Sequence, residues 1–336
     1  MTSLYLTEDG IILGLKDNRL MIKKSGDILK EISLEKVDNI VLVGNITITS
    51  PLSIELLERE IPVNWLSSTG KFYGRLEPTT RVNIARQREQ FRLSDNKEFS
   101  LEMAKIFIIG KVKNCQVVLR RYNRNFNYES VHNNIEELKR YALKILDSET
   151  VEELLGYEGN CAKLYFKSLG EMVREEFKFE KRTRRPPKDK FNCLLSLGYT
   201  LLLYEIYTAI VNKGLHPYCS FLHKIRNGHP ALASDLIEEW RATIVDSLVM
   251  NLVQNRIITE EHFLPRNDEN GGIFLTREGL KIFIQKFETR LKQENSYLTY
   301  VDYPMSFRES LQFQVGSLVK AIENEDSNAY RAVIIR

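Results

Sequence analysis

The chain has 336 residues, with 48 Lys and Arg against 45 Asp and Glu for a formal net charge of +3, and 43% of it is hydrophobic. That length suits two domains, the composition is that of an ordinary globular protein, and so small a charge does not by itself announce a nucleic-acid binder. No apolar run reaches the roughly 20 residues of a membrane span, and MTSLYLTEDG has neither a basic start nor an apolar signal core, so a cytoplasmic protein is expected.

Residues 1–78 read as β structure. Short alternating runs at 11–15, 20–24, 28–32, 40–43, 63–66 and 72–75 are separated by turn residues, among them KDNR, Gly26-Asp27 and SSTGK. One helix interrupts them: Ser50 can cap its first turn, Pro51 suits the first helical position, and Ile54, Leu56 and Leu57 supply an apolar face. The expectation is a small N-terminal β-sandwich. Past Pro78 apolar residues recur at three and four over 98–121, 134–147, 158–176, 190–212, 231–255, 276–292 and 304–323, which predicts an all-α domain over 79–336 and an α+β protein as a whole.

The four cysteines, Cys115, Cys161, Cys193 and Cys219, are widely spaced with no CxxC pair and read as buried, reduced thiols. Positive charge is clustered. KFEKRTRRPPKDK at 178–190 holds seven Lys or Arg, and Pro186-Pro187 break the chain there, so this run should lie in a loop open to a partner. Arg120, Arg121 and Arg124 form a second group at the end of a long amphipathic segment. Charge runs are commonly solvated faces; beside an acidic metal site they would be phosphate tracks.

The stretch GLHPYCSFLHKIRNGHPALASDLIEEWR at 214–241 carries the most chemistry. After Pro230, Leu232, Leu236 and Trp240 recur every fourth residue and should face the core. Asp235 and Glu238 are then neighbours on one helix face, and His223 in the preceding segment can reach over it. One imidazole with two helical carboxylates is a divalent-metal half-site. Acids near a helix start are also favoured by the helix dipole alone, and Glu158 beside Gly159 can equally be a first-turn acid.

The combination and order of these segments resembles the CRISPR-associated protein number one family, the integrase of spacer acquisition, over nearly the whole chain. The first motif is matched by Glu158, Gly159, Ala162, Tyr165 and Phe166. An Arg-Pro-Pro-x-Asp motif is matched by Arg185, Pro186, Pro187, Asp189 and Asn192, with Leu194, Ser196 and Tyr199 beyond. The histidine motif appears as Gly214, Leu215, Pro217, Leu222 and His223, and the acidic one runs from Leu232 to Glu238. Ser220, where the family commonly has Gly, and Asn160-Cys161, in place of two small residues, depart from the pattern and bear on local loop shape.

The resemblance implies metal-binding positions at Glu158, His223 and Glu238, a supporting carboxylate at Asp235 whose loss is milder, a phosphate contact at Arg241 and a supporting Asn192. It implies a reaction in which a 3′ hydroxyl of a DNA fragment attacks a phosphodiester of the CRISPR repeat, with Mg²⁺ or Mn²⁺ as Lewis acid. Double-stranded DNA would then run along Lys181, Arg182, Arg184 and Arg185, and along Arg120, Arg121 and Arg124. It further implies a homodimer built through residues 1–78, two such dimers being bridged by the small adaptation subunit, Cas protein number two. Two competing readings are a DNA-binding scaffold without chemistry, which the intact Glu158, His223 and Glu238 oppose, and a metal-dependent hydrolase of small phosphoesters, which the lack of a glycine-rich phosphate cradle opposes.

Overall fold

A computed structural model describes residues 3–265, 271–298 and 300–335, so Met1, Thr2 and Arg336 at the ends of the two expected domains lie outside the described residues. The chain divides into two units, Met1–Arg81 with Leu275–Glu288, and Val82–Phe274 with Thr289–Arg336.

In the first unit the strands are β1 (Ser3–Leu6), β2 (Ile11–Lys16), β3 (Arg19–Lys24), β4 (Asp27–Ser33), β5 (Asn39–Val43), β6 (Thr47–Ile48), β7 (Val63–Leu66) and β8 (Phe72–Leu76). They form two four-stranded sheets, ordered β1-β5-β7-β8 and β4-β3-β2-β6. The hairpin between β2 and β3 turns at Asp17 and Asn18, both in the left-handed region at φ 47° and 62°, which suits the right-handed twist of the flanking strands. Leu13, Leu20 and Ile22 from one sheet and Ile40, Leu42 and Val63 from the other join a single apolar core. Alternation made six of these strands legible; β1 and the two-residue β6 escaped it.

Helix α1 (Ser50–Glu58) starts one residue earlier than expected, with Thr49 at the N-cap and Pro51 in the first turn. Its core face is Leu52 and Leu56, four residues apart and fully buried, whereas Ile54 points away and is 57% exposed. The expected face therefore had one wrong member.

The second unit is mostly helical: α2 (Ile84–Asp95), α3 (Lys97–Phe126), α4 (Glu129–Leu146), α5 (Val151–Met172), α6 (Lys190–Asn212), α7 (Ala231–Trp240), α8 (Ser247–Gln254) and α10 (Phe307–Glu323). It is not purely α, because Glu294–Asn295 and Met305–Ser306 pair as a short antiparallel ladder. Helix α9 (Arg277–Leu291) occupies the segment expected at 276–292, but its residues to Glu288 group with the first unit. Helical spacing reports a buried face, here Phe283 and Phe287, and not the body on which that face packs.

Helix α3 packs on α4, α5 and α7, and α6 on α7 and α10. Helix α6, 23 residues long, is by length and composition apolar enough to cross a membrane, contrary to the sequence reading. Its Leu194, Leu202, Ile206 and Ile210 are fully buried within the protein, which accounts for the composition. The four cysteines are buried and free of disulfides, as expected.

Candidate active site

Three elements of the helical unit bring the acidic residues together. Glu158 lies in the middle of α5, whose start is capped by Thr150 accepting the Glu153 N–H at 3.2 Å, so it is not a first-turn acid. Glu238 sits near the end of α7, where Leu232, Leu236 and Trp240 are fully buried as their spacing predicted. From α3, Lys111 sends its ammonium between the two carboxylates, bonding Glu158 and standing 2.7 Å from Glu238 Oε2. Arg241 adds a second cation, 3.0 Å from Glu238 Oε1.

These charges set the ionisation of the site. Burial pulls the Lys111 ammonium toward neutrality, but the Glu238 and Glu158 carboxylates outweigh it and hold the lysine charged. Burial likewise opposes ionisation of Glu238, and Arg241, Lys111 and His223 together overcome it, leaving this carboxyl far below its ordinary range. The next residue behaves oppositely. Glu239 faces only neutral partners, accepting from Val333 N at 2.6 Å and Tyr330 Oη at 2.9 Å, and burial pushes it up to about 8.

His223 is held by Asp235. The Asp235 carboxylate is completely buried and accepts backbone N–H bonds from Phe221 (2.8 Å), Leu222 (3.1 Å) and His223 (3.0 Å), while Oδ1 lies 2.8 Å from His223 Nδ1. With Nδ1–H given to Asp235, the Nε2 lone pair is left toward Glu238, whose Oε1 is 4.0 Å away. Although burial works against the imidazolium, the Asp235 bond raises the histidine above its ordinary value.

The loop that carries His223 is clamped from α2, a helix the sequence reading missed. Fully buried Gln90 donates to His216 O (2.9 Å) and Cys219 O (2.7 Å) and accepts from His216 N (2.8 Å), and Ser94 Oγ donates to Ser220 O. Ser220, flagged as a departure, donates its hydroxyl to His223 O at 2.5 Å and so ties the loop. The signal for α2 was Asn83, whose side chain accepts the Arg86 N–H; a largely polar helix gave no apolar stripe to read.

The expected single helix over 231–255 is broken by a π-helical stretch, Arg241–Asp246, between α7 and α8. Its wider turn lets Glu238, Arg241, Ala242 and Asp246 line one cleft, together with Lys111, Glu158, Cys161, Tyr165 and Tyr199. Asp246 accepts from Tyr165 Oη (2.8 Å) and Tyr199 Oη (2.5 Å), and burial pushes it up to about 6. The Tyr199 ring has guanidinium carbons of Arg182 and Arg241 at 5.2 and 5.0 Å from its centroid.

Not all of the basic loop is free. Lys181, Arg184 and Arg185 are exposed, and Arg184 reaches the cleft. Arg182 turns inward to Asn192 Oδ1 (2.7 Å) and Ser196 Oγ (3.1 Å), and Phe179 stacks on Phe191 at 4.8 Å, which pins the segment. Asn192 binds that segment in turn, donating to Lys181 O (2.8 Å) and Asp189. Arg182 and Asn192 are thus bracing residues of the loop. Arg120, Arg121 and Arg124 are exposed near the end of α3.

Among the described residues no three His, Cys, Asp or Glu side chains stand close enough to form a closed ligand set. Glu158 and Glu238 nevertheless converge on one cation, the Lys111 ammonium, with an oriented imidazole beside Glu238. Hard oxygen donors with one nitrogen fit a divalent ion such as Mg²⁺ or Mn²⁺. Lys111 was missed from sequence, although a lone lysine inside the apolar run IFIIGKV of a helix is the mark of a buried, paired cation.

Residues 4–289 match the family model for CRISPR associated protein Cas1. A CRISPR-associated endonuclease Cas1 from Mycobacterium tuberculosis is 32% identical over 323 residues, 96% of this chain and 94% of that protein. A Cas1 protein from Thermotoga maritima superposes with a TM-score of 0.82 at 27% identity, covering 96% of this chain and 97% of that one. A chain of a Cas6-RT-Cas1–Cas2 complex gives a TM-score of 0.85 at 27% identity, covering 100% of this chain and 36% of its own length.

Proposed function

Since the chain belongs to the CRISPR-associated Cas1 family, we propose that it is an endonuclease and integrase that inserts DNA fragments into a CRISPR array. A 3′ hydroxyl attacks a phosphodiester and displaces the neighbouring 3′ oxygen; nicking is the same displacement by water. The observation that carries this reading is the meeting of Glu158 and Glu238 on one cation with His223 oriented beside them.

In this reading Glu158, Glu238 and His223 Nε2 hold a Mg²⁺ or Mn²⁺ ion, which when bound supplies Lewis acidity at the phosphate. Asp235 fixes the imidazole and its tautomer. Lys111 and Arg241 offset the carboxylates that would otherwise repel the phosphate, and Arg241 and Arg184 donate to its oxygens. The exposed Lys181 and Arg185, with Arg120, Arg121 and Arg124, follow the duplex backbone. The test is strand transfer of a labelled fragment into a repeat-bearing plasmid, with and without EDTA. Transfer that Mn²⁺ restores and that Glu158→Gln and Glu238→Gln lack supports the assignment; transfer unaffected by EDTA overturns it.

We also infer a homodimer, joined by a Cas2-type subunit in the working complex. Support comes from β4, an edge strand with Ile28 and Leu29 52% and 55% exposed, since an apolar edge invites pairing with a second copy. Light scattering at micromolar concentration should give twice the chain mass of 39.2 kDa, and Ile28→Lys with Leu29→Lys should halve it. A wild-type monomer refutes this assembly.

A further inference from the structure

A second concave surface lies on α10, away from the residues used above. Phe313, Gly316, Ser317 and Lys320 recur at three, four and seven along one face of this helix, and they line a groove whose other wall includes Lys213, Tyr300 and Arg331. The opposite face of α10, with Leu311, Val315 and Leu318, is buried in the core. On the groove face Phe313 and Lys320 are exposed, while Ser317 is buried at its floor and bonded to Ala329 O and Arg331 N.

Gly316 sharpens this. Glycine inside a helix is unfavourable relative to alanine, and a Cβ built at this position would meet nothing within 4 Å. Neither a turn nor a close neighbour requires it. Its effect is to keep the groove floor open between Phe313 and Lys320.

The groove is also positive. Lys213, Lys320 and Arg331 are exposed, and none has a carboxylate partner among the described residues; Arg331 lies 6.0 Å from the Tyr300 ring centroid, and its N–H donates to Ser317 Oγ at 3.1 Å. Of the acids around the end of α10, Glu323 and Glu325 pair with Arg86 and Arg92, and Asp326 accepts from Asn328. Beside these cations Phe313 is 40% exposed. Cations set next to an accessible ring are what a single strand demands, phosphates meeting the charges and an unstacked base meeting the ring, whereas a duplex hides its base faces.

We propose that the α10 groove, framed by Lys213, Phe313, Gly316, Lys320 and Arg331, binds single-stranded DNA at a site separate from the Glu238 cleft. It rests on the chain being a DNA-acting protein, and on nothing about the chemistry at Glu238.

The experiment is anisotropy of a labelled single-stranded oligonucleotide and of a duplex over a salt series. It uses full-length wild type, the triple variant Lys213→Gln, Lys320→Gln, Arg331→Gln, and Gly316→Trp, with Gly316→Ala as a helix-favouring control for folding. Single-strand affinity should fall at least about tenfold in the triple variant, with the log-log salt slope reduced by about 2 at roughly 0.7 per lost phosphate contact. Gly316→Trp should weaken the same strand at equal melting temperature, and duplex binding should not change. Single-strand binding untouched by the triple variant and by Gly316→Trp overturns the proposal. So does equal loss of duplex, which marks a general phosphate track, or polyglutamate binding that depends on these residues when single-strand binding does not, which marks an acidic-peptide site. If wild type binds neither DNA, the proposed function fails as well, so the two failures are distinguishable.

Discussion

Asp235→Ala tests the link between the His223 loop and the active site. Sequence reading expected this change to be milder than loss of a ligand, but the geometry argues otherwise, because one carboxylate accepts three consecutive backbone N–H groups and orients the imidazole. An orphaned buried donor costs about 1–3 kcal/mol. With water reaching part of the loop, the three together should cost about 3–5 kcal/mol, a large part of the roughly 5–15 kcal/mol that holds a domain folded. Losing the partner of a ligating histidine should weaken Mn²⁺ binding about 10–100-fold. Urea unfolding and Mn²⁺ titration calorimetry read the two effects on the same protein, and Asp235→Asn should fall between, since its amide keeps one acceptor and sets an NH₂ against the remaining donors. An alanine variant that unfolds at the wild-type urea concentration and binds Mn²⁺ as wild type would refute the argument.

Glu158→Ala should abolish strand transfer and leave thermal stability near wild type, because Lys111 keeps Glu238; Glu238→Ala should abolish it and also cost about 3–5 kcal/mol by calorimetry, since Lys111 and Arg241 lose a buried countercharge. Neutralising Lys181, Arg184 and Arg185 should weaken duplex binding and flatten its log-log salt slope by about 2.7, at roughly 0.9 per contact. Arg182→Gln should lower stability and leave that slope alone, because its guanidinium is bonded to Asn192 and Ser196. Glu239 has its folded pKa raised from 4.5 to about 8, so the fold binds this proton more tightly than the unfolded chain and stability should decline as pH rises across that window. Urea unfolding of Glu239→Gln over the same range should show the decline flattened.

What was legible from sequence follows from which signals are local. Alternation gave six strands and apolar spacing gave most of the helices, because each reports a buried face. Helix α2 stayed hidden because its work is polar: Gln90 is buried to hold loop carbonyls, and buried polarity leaves no apolar stripe. The π turn was invisible for a related reason, since one widened turn barely disturbs an apolar pattern while it rotates every residue after it. Glu158, His223, Asp235 and Glu238 were found through motif resemblance. Lys111 was not, although it is the side chain on which the two acids converge.

Glu238 and Glu239 show why identity at a position does not fix charge at a site. One α-helical step apart, they lie on different faces of α7: the first meets Lys111, Arg241 and His223 and stays ionised, the second meets Tyr330, Gln314 and a backbone N–H and is pushed toward the neutral acid. Glu239 therefore adds little negative potential behind Glu238 near neutral pH. On the cleft side, Lys111, Arg241 and Arg184 stand against Glu158 and Glu238, while Asp246 is screened by two tyrosine hydroxyls. A cleft built on carboxylates alone would repel a phosphodiester. This one sets Lys111, Arg241 and Arg184 among its carboxylates, so a polyanion can approach the very groups proposed to hold the metal ion.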